Sequence, residues 1–256
     1  MRKLLTERKA GALPIALTIM ALVLLVIPVA SSQDISTGDA GTSFNPTGKL
    51  RLEASLLGGG GSKKIDVFVT TTDDTITISG GGGVGLDLEA GYCLSSSIEI
   101  SGAFGFQRST LSNKVSNAEG SFSRIFLRAT LKYRIPVSTS GLIKIGGGGG
   151  YYSPGDLDVD GSKVPDGHHY IFTYDASTGF HVTGEYERYI SSWSALSANW
   201  SWGIGLRYYK VTYDLKSWTD DGVSTPISQL TPEFKDDLTE FDGSGFDIFG
   251  YLAMYL

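Results

Sequence analysis

The chain has 256 residues, 41% hydrophobic and 19% charged, with 34 glycines and a formal net charge of −6, which suits one domain with a short appendage. An acidic chain without a basic tract is a poor nucleic-acid binder, so nucleic acid is excluded as a partner. Cys93 is the only cysteine, so no intrachain disulfide forms; it reads as a small packing residue near a strand end.

Residues 1–32 read as an export signal. Arg2, Lys3, Arg8 and Lys9 form a basic head, Leu13 to Val29 is apolar apart from Thr18, and Ala30, Ser31 and Ser32 supply small residues for cleavage. The apolar run is also long enough to span a bilayer as an uncleaved anchor, although no charged stop-transfer segment follows it. No cysteine lies near the cleavage region, which argues against a lipoprotein. Loss of four basic residues and Glu7 with the signal takes the formal charge from −6 to −9. Residues 33–47, rich in Ser, Thr, Gly and Asp, read as a flexible lead-in, and residues 48–256 as one folded unit. No second apolar stretch reaches spanning length, so the folded unit is not a bundle of membrane helices.

Eight strands are predicted, each from period-two alternation of apolar and polar residues. They are Lys49–Leu57, Val84–Tyr92, Ile98–Gln107, Arg124–Ile135, Leu142–Tyr152, Phe180–Ile190, Ala195–Val211 and Phe246–Leu256. In the fourth, Ile125, Leu127, Ala129, Leu131, Tyr133 and Ile135 oppose Arg124, Arg128, Thr130, Lys132 and Arg134. The connections Cys93–Ser97, Pro136–Gly141 and Ser191–Ser194 are short turns. The connections Gly58–Gly83, Arg108–Ser123, Ser153–Gly179 and Thr212–Gly245 are long loops. Short on one side and long on the other is the layout of a membrane barrel with periplasmic turns and extracellular loops.

The polar parity carries seven basic residues, Arg51, Arg124, Arg128, Lys132, Arg134, Lys144 and Arg207. It also carries seven acidic ones, Glu53, Asp87, Glu89, Glu99, Glu185, Glu187 and Asp247. Each cation turned to lipid near the midplane would cost about 2–4 kcal/mol, so these charges face a lumen or bulk water. If they faced water, Trp200, Trp202, Phe104, Phe106, Phe180 and the aliphatics of the other parity would fill the interior. An eight-stranded interior is only just wide enough for ordinary side chains. The apolar parity therefore belongs to lipid. Gly146, Gly148 and Gly150 then fall on the lumen side and leave room for long charged chains. Tyr92, Tyr133 and Tyr186 lie near short-turn ends; Phe104, Phe106, Tyr151, Tyr208 and Phe246 lie near long-loop ends. Together they form two aromatic girdles.

The signal, the alternating strands and the ending from Phe246 to Leu256 resemble the outer-membrane β-barrel (porin-family) proteins of the small eight-stranded OmpA/OmpX type, over about Lys49 to Leu256. The resemblance implies an all-β, eight-stranded, antiparallel up-and-down transmembrane barrel in the bacterial outer membrane. Its implied partners are outer-membrane lipid, lipopolysaccharide and the barrel-assembly machinery. Phe246, Ile248, Leu252, Met254 and Leu256 match the C-terminal assembly signal, with Leu256 where that family ends in Phe or Trp.

The fourteen lumen charges balance and are expected to pair into a plugging network, against the alternative of a narrow water channel. Asp156, Asp158 and Asp160, followed by Gly161, copy the opening of a calcium loop, but position twelve is Gly167 instead of Glu; calcium is the one cofactor suggested. His168, His169 and His181 show no triad spacing, and no enzymatic activity is expected. The glycine runs Gly58–Gly61 and Gly80–Gly83 lack the Lys-Ser/Thr of a phosphate loop. They are read as a joint at the base of a projecting hairpin, Lys64–Val69 with Thr75–Ser79, turning near Asp73 and Asp74. The leading functional expectation is a plugged, non-enzymatic barrel serving envelope integrity or surface interaction through its long loops. The alternatives are a small pore, a lipid-modifying barrel enzyme and a secreted lipocalin-like binder. The extracellular ligand is not legible.

Overall fold

The computed structural model describes residues 45–69, 75–110, 117–138, 140–165, 167–190, 199–230 and 232–256. The export signal, most of the lead-in, the turn at Asp73 and Asp74, the turn Ser191–Ser194 and the first residues of the seventh predicted strand lie outside them. The strands in chain order are β1 (Leu50–Gly61), β2 (Ile65–Val69), β3 (Thr75–Ile78), β4 (Gly82–Cys93), β5 (Ile98–Thr110), β6 (Glu119–Pro136) and β7 (Gly141–Asp160). They continue with β8 (His169–Tyr174), β9 (Ser177–Ile190), β10 (Asn199–Lys210), β11 (Thr212–Asp220), β12 (Val223–Thr225), β13 (Glu240–Asp242) and β14 (Gly245–Tyr255). A short 3-10 turn (Ile227–Gln229) and an α-helix, α1 (Pro232–Thr239), lie between β12 and β13.

Eight of these strands close a ring in the order β1, β4, β5, β6, β7, β9, β10, β14 and back to β1, every pair antiparallel. They are the eight strands predicted from alternation. Closure leaves no unpaired edge, which a wall immersed in hydrocarbon requires.

The alternation sets the two faces. Leu56, Leu86, Leu88, Leu131, Ile145, Ile204, Leu206 and Ile248 all stand outside, each more than half exposed. Phe104, Phe106, Tyr133, Tyr208 and Phe246 are exposed on the same outer face. An apolar belt of this extent has no place on a water-soluble barrel, so the lipocalin-like alternative does not hold.

The long connections differ from the sequence expectation. Ser153–Gly179 is not a loop but the outer part of β7 followed by β8, and Thr212–Gly245 contains β11, β12, α1 and β13. Beyond the barrel rim β7 leaves β9 and pairs with β8, which pairs in turn with β11. The reason lies in the same period-two pattern: Leu157 and Val159 are fully buried while Asp156 and Asp158 are exposed. A half-buried strand therefore persists above the membrane. The expected hairpin is present as β2 paired with β3. At its base the two glycine runs pair directly, Gly59 with Gly83 and Gly60 with Gly82. Gly82 and Gly83 have φ of +77° and +98°, and a Cβ at Gly82 would stand 2.5 Å from the Gly60 backbone, so glycine is required there.

Candidate functional site: a filled lumen beneath a stranded cap

All fourteen charged residues expected in the lumen are inside the barrel and at most 5% exposed. They arrange in two tiers. At the short-turn end Arg51 contacts Glu53, Glu89 at 3.1 Å, Glu99 at 3.4 Å and Glu187 at 3.1 Å. Lys132 bridges Glu89 (2.6 Å) and Glu185 (2.9 Å), and Lys144 bridges Glu185 (3.2 Å) and Glu187 (2.5 Å). Arg134 stands 3.6 Å from Glu99 and donates to the hydroxyls of Tyr189 and Tyr255 and to Cys93 Sγ. Cys93 is free and buried beside the turn into β5.

The upper tier is a relay. Asp87 pairs with Arg128 and, at 3.3 Å, with Arg207; Arg207 is 4.0 Å from Asp247. The Gln107 amide donates to Asp247 at 2.7 Å and accepts from Arg124. Arg124 also donates to the Tyr209 hydroxyl and to the Gly243 carbonyl (2.8 Å). Beside this tier His181, buried in the lumen, shares a 2.9 Å hydrogen bond with Thr130. Two glycines of β7 make the space expected of them. A Cβ at Gly146 would stand 3.0 Å from Lys132 Cγ, and one at Gly150 would stand 2.9 Å from Arg128 Cγ.

The sequence reading missed the aromatics of the polar parity. Phe126, Tyr152, Tyr209, Phe249, Tyr251 and Tyr255 point inward and are buried. They pack on the cations: Arg128 lies 4.0 Å over the Phe126 ring, Arg124 4.3 Å over Tyr209 and Arg207 4.6 Å over Phe249. Such stacking strengthens when desolvated, to about 2 kcal/mol a pair. Inward glycines seat these rings: a Cβ at Gly105, Gly203 or Gly205 would collide with Phe126, Tyr251 or Phe249 respectively. The signal was available, because each ring falls on a parity otherwise given to charge.

Above Arg124 the filling becomes apolar. Phe122, Tyr174, Tyr213 and Phe241 form one cluster with ring centroids 5.0–6.5 Å apart. Leu238 of α1 joins the same core. These residues come from β6, β8, β11 and β13, so the stranded cap is what covers the mouth. Burial pushes the Tyr213 phenol up to about 12 and raises that of Tyr174, so both stay neutral lids. Outside, Lys63 pairs with Asp237 at 2.5 Å, tying the base of the hairpin to α1.

Asp156, Asp158 and Asp160 stand at alternate positions along β7, and each meets a different partner. Asp156 accepts from Thr173 at 2.7 Å, Asp158 meets His169 at 2.9 Å, and Asp160 accepts from Ser162 at 2.6 Å. The Ser162 hydroxyl and backbone amide hold the Asp160 carboxyl below its ordinary value. At the tip of the cap His168 faces Asp220 and Asp221, and Asp220 foremost raises its imidazole above the usual value. The terminal residues Phe246, Ile248, Leu252 and Leu256 are exposed on the lipid-facing side of β14, and Met254 lies at partial exposure on the same parity.

No protein-family model matches the chain, and no curated protein is similar to it in sequence. Solved structures do match its fold. The outer membrane protein OprG of Pseudomonas aeruginosa aligns with 82% of this chain and 97% of its own, at 9% identity and a TM-score of 0.52. Neisserial surface protein A aligns with 80% of this chain and 94% of its own, at 10% identity and a TM-score of 0.43. The outer membrane protein AlkL aligns with 88% and 94%, at 15% identity and a TM-score of 0.40. At such identities the likeness speaks to fold, and of these three the OprG alignment has the score that carries it. The fold is that of a small bacterial outer-membrane β-barrel with eight antiparallel strands.

Proposed function

We propose that this protein is a non-enzymatic barrel of the bacterial outer membrane with a plugged lumen, and that it serves envelope integrity or surface interaction through the cap at its long-loop end. The observation that carries this reading is the filling of the lumen. Seven cations and seven carboxylates, all buried, fill the lumen; six of the cations pair directly with carboxylates, Arg124 reaches Asp247 through the Gln107 amide, and inward aromatics complete the column. A buried pair broken on one side leaves a desolvated charge, so each member holds the others in place. The lipid-facing belt supports contact with outer-membrane lipid. The exposed acidic side chains of the cap support a cation-bridged approach to lipopolysaccharide. The outward side chains of β14 support its role as the signal read by the barrel-assembly machinery.

Single-channel recording of the refolded barrel in planar bilayers tests the plug, with folding checked by the heat-dependent gel shift of intact barrels. Wild type is expected to be silent, and neutralising Arg128 and Lys132 together is expected to open a measurable conductance. A steady conductance from wild type would make the protein a small pore instead.

A further inference from the structure

The tip of the cap carries a cluster that the lumen does not use. His168 lies in the turn leading into β8, while Asp220 ends β11 and Asp221 opens the turn to β12. His168 Nδ1 is 2.9 Å from Asp220 Oδ1 and 3.0 Å from Asp221 Oδ2. All three donor atoms lie within 4.8 Å of one another. Ligand atoms held about 2.0–2.2 Å from one tetrahedral zinc ion stand roughly 3–3.5 Å apart, and the two imidazole–carboxylate separations already stand near that spacing.

We propose that His168, Asp220 and Asp221 form a surface site for a divalent transition cation of the zinc class.

Three features favour this. The first is charge. Two carboxylates converge on one imidazole, so the trio carries net negative charge whether or not the ring is protonated, and a dication neutralises it. The second is donor type. An imidazole nitrogen with carboxylate oxygens suits zinc, copper or nickel, whereas calcium and magnesium take oxygen alone. The third is that the donors are held on paired backbone. The Asp221 amide donates to the His169 carbonyl at 3.0 Å, and the His169 amide donates to Asp221 Oδ1 at 2.9 Å. The imidazole of His168 also stacks on Tyr170, centroids 5.8 Å apart at 17°, and Tyr170 leans on Trp218 at 6.2 Å. All three side chains are at least a third exposed, so an ion reaches them without any opening of the fold. Three protein ligands leave a coordination position for water or for a donor from outside. Bound metal would clasp the start of β8 to the β11–β12 turn, closing the outer edge of the cap.

The test is isothermal titration of zinc chloride into the full chain, refolded in detergent and stripped of metal with chelator. The expected result is one zinc per chain, not displaced by millimolar calcium. His168→Ala and the double variant Asp220→Asn/Asp221→Asn should each weaken binding by more than about tenfold. Both should keep the gel shift of the intact barrel; if one does not, the other decides. Cobalt in place of zinc should give a visible d–d band that His168→Ala abolishes. No zinc binding by wild type at millimolar concentration, or binding by His168→Ala as tight as wild type, would overturn the proposal.

Discussion

Arg51 lies within 3.4 Å of four carboxylates, and its own burial is complete. Replacing it with methionine would fill the space and leave Glu53, Glu89, Glu99 and Glu187 without their common cation. Removing one partner of a buried ion pair costs about 3–5 kcal/mol. Arg51→Met is therefore expected to lower the unfolding free energy of the refolded barrel by an amount in that range, read as a lower urea midpoint at unchanged slope. At the surface the sign of an electrostatic effect is readable from His168. Its imidazole is raised by Asp220, so the pair's stabilisation is complete below the ordinary imidazole value and fades as pH rises through the raised one. Titration of the metal-free protein by NMR should show His168 protonated above the ordinary value, and Asp220→Asn should bring it down. The lumen charges were legible in the sequence because a charged residue on a strand whose other face is greasy has only one place to go. The inward rings are harder to read, because an aromatic suits lipid, girdle or lumen equally well; their place on the charged parity and the glycines beside them are the marks that they point inward.

The barrel strands were legible for the same reason: eight runs of alternation each need two unlike environments, and the ring provides both. What alternation does not reveal is how far a strand continues beyond the bilayer. Asp156-Leu157-Asp158-Val159-Asp160 alternates as cleanly as any membrane segment, yet its acidic parity suggested a calcium loop. The structure makes it a strand because Leu157 and Val159 join the apolar core under the cap. Register within the wall depends on close backbone approach at single glycines. A Cβ at Gly148 of β7 would run into the Ala129 carbonyl of β6, and backbone, unlike a side chain, has no rotamer with which to yield. Gly148→Ala is expected to cost about 1–3 kcal/mol. The loss should appear as faster amide exchange along the β6–β7 pairing. The neighbouring Gly149, whose Cβ would meet its nearest atom at 3.6 Å, should accept alanine with little change.

Taken whole, the molecule is inside out relative to a soluble protein, with its ion pairs at the centre and its aliphatics at the boundary. Leu86 sits in the middle of β4, 59% exposed to the surroundings of the barrel. Leu86→Arg places a charge in the belt and is expected to cost about 2–4 kcal/mol of folding free energy in a bilayer. The same variant in detergent micelles, where the head reaches water more easily, should lose less. Comparing denaturant unfolding in the two media checks this. The order of pairing around the wall also constrains how the protein is made. Seven of the eight seams join strands that follow one another in the chain, apart from excursions into the cap. The eighth joins β1 to β14, nearly two hundred residues apart, with Arg51 opposite Tyr255 and Gly61 opposite Gly245. A ribosome delivers β1 first and β14 last, so the first strand must wait with a bare edge until synthesis is nearly over. That waiting edge is chemically the same as one that recruits a strand from another chain. A chain of this design stays open to strand capture by its neighbours until β14 pairs with β1 and closes the wall.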